Sequence, residues 1–261
     1  MHIVVLAKAV PNTTGVERFE PDRSLDRVAA EPILNPNDEY ALELALRLAE
    51  TDPGIMITML TMGPETSWPG LTKGLAVGAQ AGVLVSDPAL AGACALSTAR
   101  VLAAALRRME YDLVLAGSDT SDGKAGVVGA AVAALLDIPF ITHAGEQTLR
   151  DGAVEGRRTR DDGYEVLAAP LPALVTVTQE VGEMRYPTLR GIMGSRSKMP
   201  VALSLDDIGL SAADVGGAVA TTLVVDVDPP APRPPARVVS GDAAEVADEV
   251  VRFLVDRRFI P

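Results

Sequence analysis

Cysteine occurs once in this sequence, at Cys94, and histidine twice, at His2 and His143. An intramolecular disulfide framework and a cysteine-rich metal site are excluded, and without His-x-x-x-His or Cys-x-x-Cys spacing the usual transition-metal chelates are absent too. A reducing, cytoplasmic setting fits such usage. Positive charge is also scarce: 23 Lys and Arg stand against 35 Asp and Glu, a net charge of −12, so a polyanionic partner such as nucleic acid is not expected. Although 48% of residues are hydrophobic, no apolar run approaches the ~20 residues of a membrane helix. The expectation is a soluble protein without membrane insertion. The start, Met1 to Lys8, enters an apolar β-branched run with no basic n-region or cleavage site, so no export signal is expected there.

Catalytic signatures are missing as well. There is no Gly-x-Ser-x-Gly elbow and no paired His–carboxylate motif. Cys94 falls in the apolar run Ala91–Ala105 and reads as an inert thiol buried within a helix. No catalytic residue and no metal ligand is expected, and the chain by itself is not read as an enzyme.

What is present is length and pattern. At 261 residues and roughly 150 per domain, the chain accommodates one large α/β domain, or one domain with appendages. Up to about Pro139, short continuous apolar runs alternate with segments of helical period, as strands buried on both faces alternate with crossover helices. The predicted strands are Ile3–Ala7, Ile55–Thr61, Gly82–Val85 and Leu113–Ala116. The predicted helices are Asp38–Ala49, Leu71–Val77, Ala93–Met109 and Ala125–Leu136. Right-handed crossovers make this a Rossmann-like, doubly wound parallel sheet, with any ligand beyond the carboxyl ends of the strands. From Glu146, turn signals at Arg150–Gly152 and Arg160–Gly163 flank alternating stretches that predict a β-meander, and Leu174–Thr178 returns as a buried strand. A domain over 1–205 is thus expected, followed over 206–261 by an arm that is proline-dense from Asp228 to Pro235 and a terminal helix, Ala243–Val255. That tail either docks on another chain or packs on its own domain.

The most informative stretch is Tyr111–Gly129, a strand entering a glycine-rich turn and then a helix. Gly123, Gly126 and Gly129 let backbone amides approach a ligand, and the helix start offers unsatisfied donors, a context suited to an anion. It is not a Walker A loop, since Ala125 follows Lys124 where Mg²⁺ binding needs Ser or Thr. A plain helix start capped by Asp122 is the alternative. Asn35–Glu39 reads as a capped helix start, Met62–Pro64 as a strand end facing a ligand or a simple turn, and Lys8 as an anion contact or a solvated cation.

Taken in order, these segments resemble the β subunit of electron-transfer flavoprotein, a family that includes the Fix-type carriers. The resemblance lies in Val5–Pro11, in Asn35–Ala45 with its Asn-Pro-x-x-Glu start, in Lys73–Ala79, in Met184–Met193 with its Arg-Tyr-x-x-Leu-x-x-Ile-Met signature, and in Asp228–Pro230 with the terminal helix. It implies a fold of the adenine-nucleotide α-hydrolase-like kind and a β subunit that binds AMP structurally. It also implies an α subunit with which FAD is shared, acyl-CoA dehydrogenase-type donors, and electron delivery to the quinone pool through the ETF–quinone oxidoreductase. The implied nucleotide-binding residues are Leu6, Lys8, Asn35, Pro36, Asn37, Asp38, Met62, Ser118, Thr120, Asp122, Gly123, Lys124, Ala125, Gly126, Val127 and Val128, with the phosphate over Gly126–Val128. The implied docking loop is Val181–Lys198, with Leu189 as apolar anchor, Ile192 and Met193 beside it, and Arg185, Arg190, Arg196 and Lys198 as a basic rim.

The sequence departs from the family pattern in places. Gly126–Val128 stand where many relatives place Asn-Gln-Thr, Lys124 replaces an acidic residue of the turn, Gly194–Lys198 replace a lysine-rich loop end, and Thr13 replaces a tyrosine near the flavin. Two other readings are an electron-bifurcating assembly, with a second FAD in place of AMP, and a free-standing adenine-nucleotide module.

Overall fold

A computed structural model describes residues 1–12, 18–27, 31–228 and 235–261. Thr13 and much of the proline-dense arm lie outside them. The chain divides into two compact units, Met1–Val225 and Asp226–Pro261.

The first unit is built on a seven-stranded sheet. Its strands are β1 (His2–Leu6), β4 (Met56–Met62), β5 (Ala81–Val85), β6 (Leu113–Gly117), β7 (Phe140–Ala144), β11 (Ala173–Val177) and β12 (Val201–Leu203). They lie in the order β12-β5-β4-β1-β6-β11-β7, and every neighbouring pair is parallel. The unbroken apolar character of the strands follows from burial on both faces. In β1, Ile3 and Val5 enter one hydrophobic cluster while Val4 and Leu6 enter the other; in β6, Leu113 and Leu115 alternate in the same way with Val114 and Ala116. Helices α1 (Pro36–Thr51) and α2 (Trp68–Val77) cover the first face through Ala41, Leu42, Leu71 and Leu75. Helices α3 (Ala95–Leu106) and α4 (Val128–Leu136) cover the second through Leu102, Leu106 and Val132. The fold is the expected doubly wound α/β layer structure.

Chain order then locates the crevice. The path from β1 runs outward through β4 to β5, and then returns through α3 to place β6 on the other side of β1. Strand order therefore reverses between β1 and β6, and their carboxyl ends form the switch point where such sheets receive ligands.

A small hairpin of β2 (Ala9–Pro11) and β3 (Pro32–Leu34) and the meander of β8 (Glu146–Arg150), β9 (Ala153–Arg160) and β10 (Gly163–Pro170) complete the strands. A short helix α5 (Leu189–Ser195) interrupts the 181–198 loop.

Three expectations change. The first unit extends past 205 to Val225, because Leu205, Ile208 and Val215 are buried in the second cluster. Helix α4 begins at Val128 rather than Ala125, because Lys124 and Gly126 have φ of 46° and 62°, outside helical space. Cys94 is not inside a helix: it is the half-buried N-cap of α3, and its thiol accepts from the Thr221 amide at 3.4 Å. Burial would raise its pKa, but bonds from the Ser97 and Thr221 amides draw it down to about 6.

The second unit holds α6 (Ala243–Asp256), capped by Asp242, whose carboxylate accepts from the Ala244 amide at 2.9 Å. None of its residues is buried; Val250 and Phe253 are exposed, and Arg237 pairs with Glu249. Among the described residues, no helix is long and apolar enough to cross a membrane.

Candidate functional site

The cleft starts from Asp38 in the first turn of α1. Its carboxylate accepts from the Lys8 amide at 2.8 Å and the Gly117 amide at 3.2 Å, joining the segments that leave β1 and end β6. The approach needs a glycine at 117, since a Cβ there would lie 2.6 Å from the Asn37 carbonyl carbon. Burial pushes the Asp38 pKa up to about 7, against the opposing effect of these hydrogen bonds.

Asn35 looks like a helix cap in sequence, but its side chain makes no cap hydrogen bond. Its Nδ2 instead donates to the Asp119 carbonyl at 2.9 Å, and its Oδ1 accepts from the Ser121 amide at 3.1 Å. Asn37 Nδ2 reaches the same carbonyl at 2.9 Å. Two asparagines of the Asn-Pro-Asn segment thus hold the glycine-rich turn against the start of α1, with Pro36 between them as the first helical residue.

Inside the turn the polar groups satisfy one another. Thr120 Oγ1 accepts from the Gly123 amide at 3.3 Å, and the Thr120 carbonyl accepts from the Lys124 amide at 3.1 Å. The Asp119 carboxylate accepts from the amides of Thr120 and Gly126 at 2.7 and 3.0 Å. Ser118 donates its amide to the Val177 carbonyl at 3.0 Å, tying the turn to β11. Ser121 Oγ is buried without a hydrogen-bond partner among the described residues.

Asp122 does not cap α4. Its side chain, 2% exposed, is paired with Lys8 Nζ at 2.8 Å and Arg27 Nη2 at 2.5 Å. Burial raises its pKa, but the two cations override it and hold the carboxyl well below the ordinary range. Lys8 is therefore an internal ion-pair partner. Lys124, Ala125, Gly126 and Val127 are exposed, and Val128 opens α4. Leu6 is buried at the end of β1, and Met62, half-buried, packs against the same cluster at the end of β4.

The structure thus joins Lys8, Asn35, Asn37, Asp38, Ser118, Thr120, Asp122 and Gly123 in one hydrogen-bonded cleft, with Leu6 and Met62 at neighbouring strand ends. Asp119 and Ser121 belong to the implied nucleotide turn Ser118–Val128 without an individual signal of their own, and Arg27 lies outside every implied segment. The first two were legible there only as polar residues of the turn; Arg27, 95 positions from its partner, had no local signal.

The second feature is the 181–198 loop. Its entry is held to α1: Arg47 Nη1 donates to the Val181 carbonyl at 2.5 Å, and Arg185 reaches buried Glu43 through its amide and Nε, both at 3.0 Å, and through Nη2 at 2.9 Å. Arg185 Nη1 also meets Glu50 at 2.5 Å. Arg185 is therefore engaged internally rather than standing free on a rim. The exit is held to α2 and its flank, where Lys198 Nζ donates to the Ala79 carbonyl at 3.0 Å and Trp68 Nε1 to the Lys198 carbonyl at 3.3 Å. Between these anchors Thr188 caps α5, accepting from the Gly191 amide at 3.1 Å. Gly191 sits where a Cβ would lie 2.1 Å from the Ala76 carbonyl oxygen, so α5 lies directly on α2. Tyr186 is 92% exposed, Leu189 75% and Met193 67%. Arg190 is exposed and Ile192 half-buried.

Fold and cleft define the class: a Rossmann-like α/β protein with a glycine-rich strand-to-helix turn at its switch point. The electron transfer flavoprotein domain model matches residues 23–208. The electron transfer flavoprotein subunit beta of Mycobacterium tuberculosis is 35% identical over 265 residues, covering 99% of each chain. The subunit of that name from Thermoanaerobacterium thermosaccharolyticum is 33% identical over 261 residues, and the caffeyl-CoA reductase-Etf complex subunit CarD of Acetobacterium woodii 34% over 262, each covering 100% of both chains. The chain belongs to the electron transfer flavoprotein family, in its beta-subunit branch.

Proposed function

We propose that this chain is the β subunit of a heterodimeric electron-transfer flavoprotein that binds AMP structurally, shares FAD with an α subunit, and takes electrons from acyl-CoA dehydrogenase-type donors for delivery to a quinone oxidoreductase. The FAD supplies the redox chemistry when bound; this chain supplies scaffold and recognition. Its residues fit AMP at the switch point. The first-turn amides of α4 lack intrahelical acceptors and sit at the positive end of the helix dipole, and the Ser121 hydroxyl of the same turn segment is a buried polar atom without a partner among the described residues. Asn35, Asn37, Asp38, Lys8 and Asp122 hold the turn in position, while Gly126, Val127 and Val128 present main-chain donors to the phosphate.

The observation that carries the docking role is Leu189, an exposed apolar side chain on a loop pinned at both ends. A preorganised anchor loses little freedom on binding, which suits a transient partner. Arg190 remains as the charged neighbour that steers an acidic surface. Replacing Leu189 by Ala should leave FAD content unchanged and weaken docking by about 2 kcal/mol, roughly thirtyfold in affinity. The rate of flavin reduction by subsaturating dehydrogenase checks this; a wild-type rate, or loss of FAD, rejects the loop as the docking element.

A further inference from the structure

We propose that the Asp119 side chain is an internal anion that competes with the nucleotide phosphate for the Gly126 amide, and so sets how tightly this cleft takes AMP. The inference rests on the AMP reading above. Asp119 Oδ1 accepts from the Gly126 amide at 3.0 Å and from the Thr120 amide at 2.7 Å. Gly126 is the first of the three residues whose amides face the phosphate in that reading, so carboxylate and phosphate claim one donor. A single N–H does not serve two anions at full strength, and two anions a few ångströms apart repel each other in a partly desolvated cleft. Lys8 and Arg27 do not relieve this, because both are paired with Asp122.

The competition belongs to the carboxylate alone. The main chain at 119 is held independently, its carbonyl accepting from Asn35 and Asn37 at 2.9 Å each. The charge can therefore be removed while the turn keeps its anchors. Asp119→Asn keeps an oxygen acceptor for the Gly126 amide and loses the negative charge; Asp119→Ser removes both the charge and most of the reach; Asp119→Glu keeps the charge.

The test is calorimetric titration of AMP into the nucleotide-stripped two-subunit complex, wild type and the three variants. Asp119→Asn and Asp119→Ser should each bind AMP roughly tenfold more tightly, and Asp119→Glu should not. If the Asn variant does not fold, the Ser variant carries the comparison. AMP affinity equal to or weaker than wild type in the neutral variants overturns the role of Asp119 while leaving the AMP site standing. Absence of AMP binding in wild type and variants alike rejects the site itself, and the inference with it.

Discussion

Asp38 is buried at the switch point with its pKa raised to about 7 by desolvation. A carboxyl whose folded pKa exceeds its unfolded value contributes stability that is fully present below the unfolded pKa and is lost as pH rises through the folded one. The protein should therefore lose stability between about pH 4 and about pH 7 by a margin on the order of a few kcal/mol from this group. Denaturant unfolding at pH 5 and pH 8 checks this: Asp38→Asn should flatten the difference, and an unchanged difference would place the titration elsewhere. Arg185 makes a separate case. Removing it as Arg185→Ala leaves Glu43, a buried residue of α1, with Arg47 as its remaining partner. Breaking a fully buried pair costs about 3–5 kcal/mol; with Arg185 one-third exposed and Arg47 retained, about 2 kcal/mol is expected. Charge reversal at exposed Arg190 should instead leave stability unchanged and slow association with a dehydrogenase, most at low salt. Equal urea midpoints for Arg185→Ala and wild type would show that the Glu43 pairing does not hold the loop.

Among elements, α6 stands apart. Val246, Val250, Phe253 and Leu254 fall on one helical stripe, with Glu245, Asp248, Glu249 and Arg252 around the remainder, and none of the helix is buried. An amphipathic helix with an uncovered apolar stripe is stabilised mainly by what packs on it, and a partner subunit fits that need. Truncation before Asp228 should leave the core of Met1–Val225 intact and weaken the heterodimer; undiminished co-purification with the α subunit would remove the arm from the interface. The elements that sequence made legible are those with strong periodicity. The buried strands β1, β4, β5, β6 and β11 stood out as continuous apolar runs, and the meander by its turns. The edge strands were not legible: β12 is three residues long, and β7, Phe140–Ala144, mixes Thr and His into an exposed edge. Short edge segments take their conformation from the neighbour they pair with, and that information lies elsewhere in the chain.

For the whole molecule, the order of strands placed the cleft, and the sequence pattern was sufficient to find it: the glycine-rich turn and the Asn-Pro-Asn-Asp segment do meet there. What local pattern did not carry was their pairing. Arg27 reaches Asp122 across 95 positions, and Arg185, expected on the basic rim of the docking loop, reaches Glu43 across 142 and ties the loop to α1 instead. The interface with the α subunit should be of the obligate class, above ~2,000 Å² in total, because the apolar stripe of α6 is left unburied in this chain. Cofactor stoichiometry separates an AMP-and-FAD heterodimer from its alternatives. Released cofactors from the purified two-subunit complex, separated and quantified by absorbance and mass, should be one AMP and one FAD per heterodimer. Two FAD without AMP, or a stable single chain carrying nucleotide and recruiting no flavin-bearing partner, would contradict it.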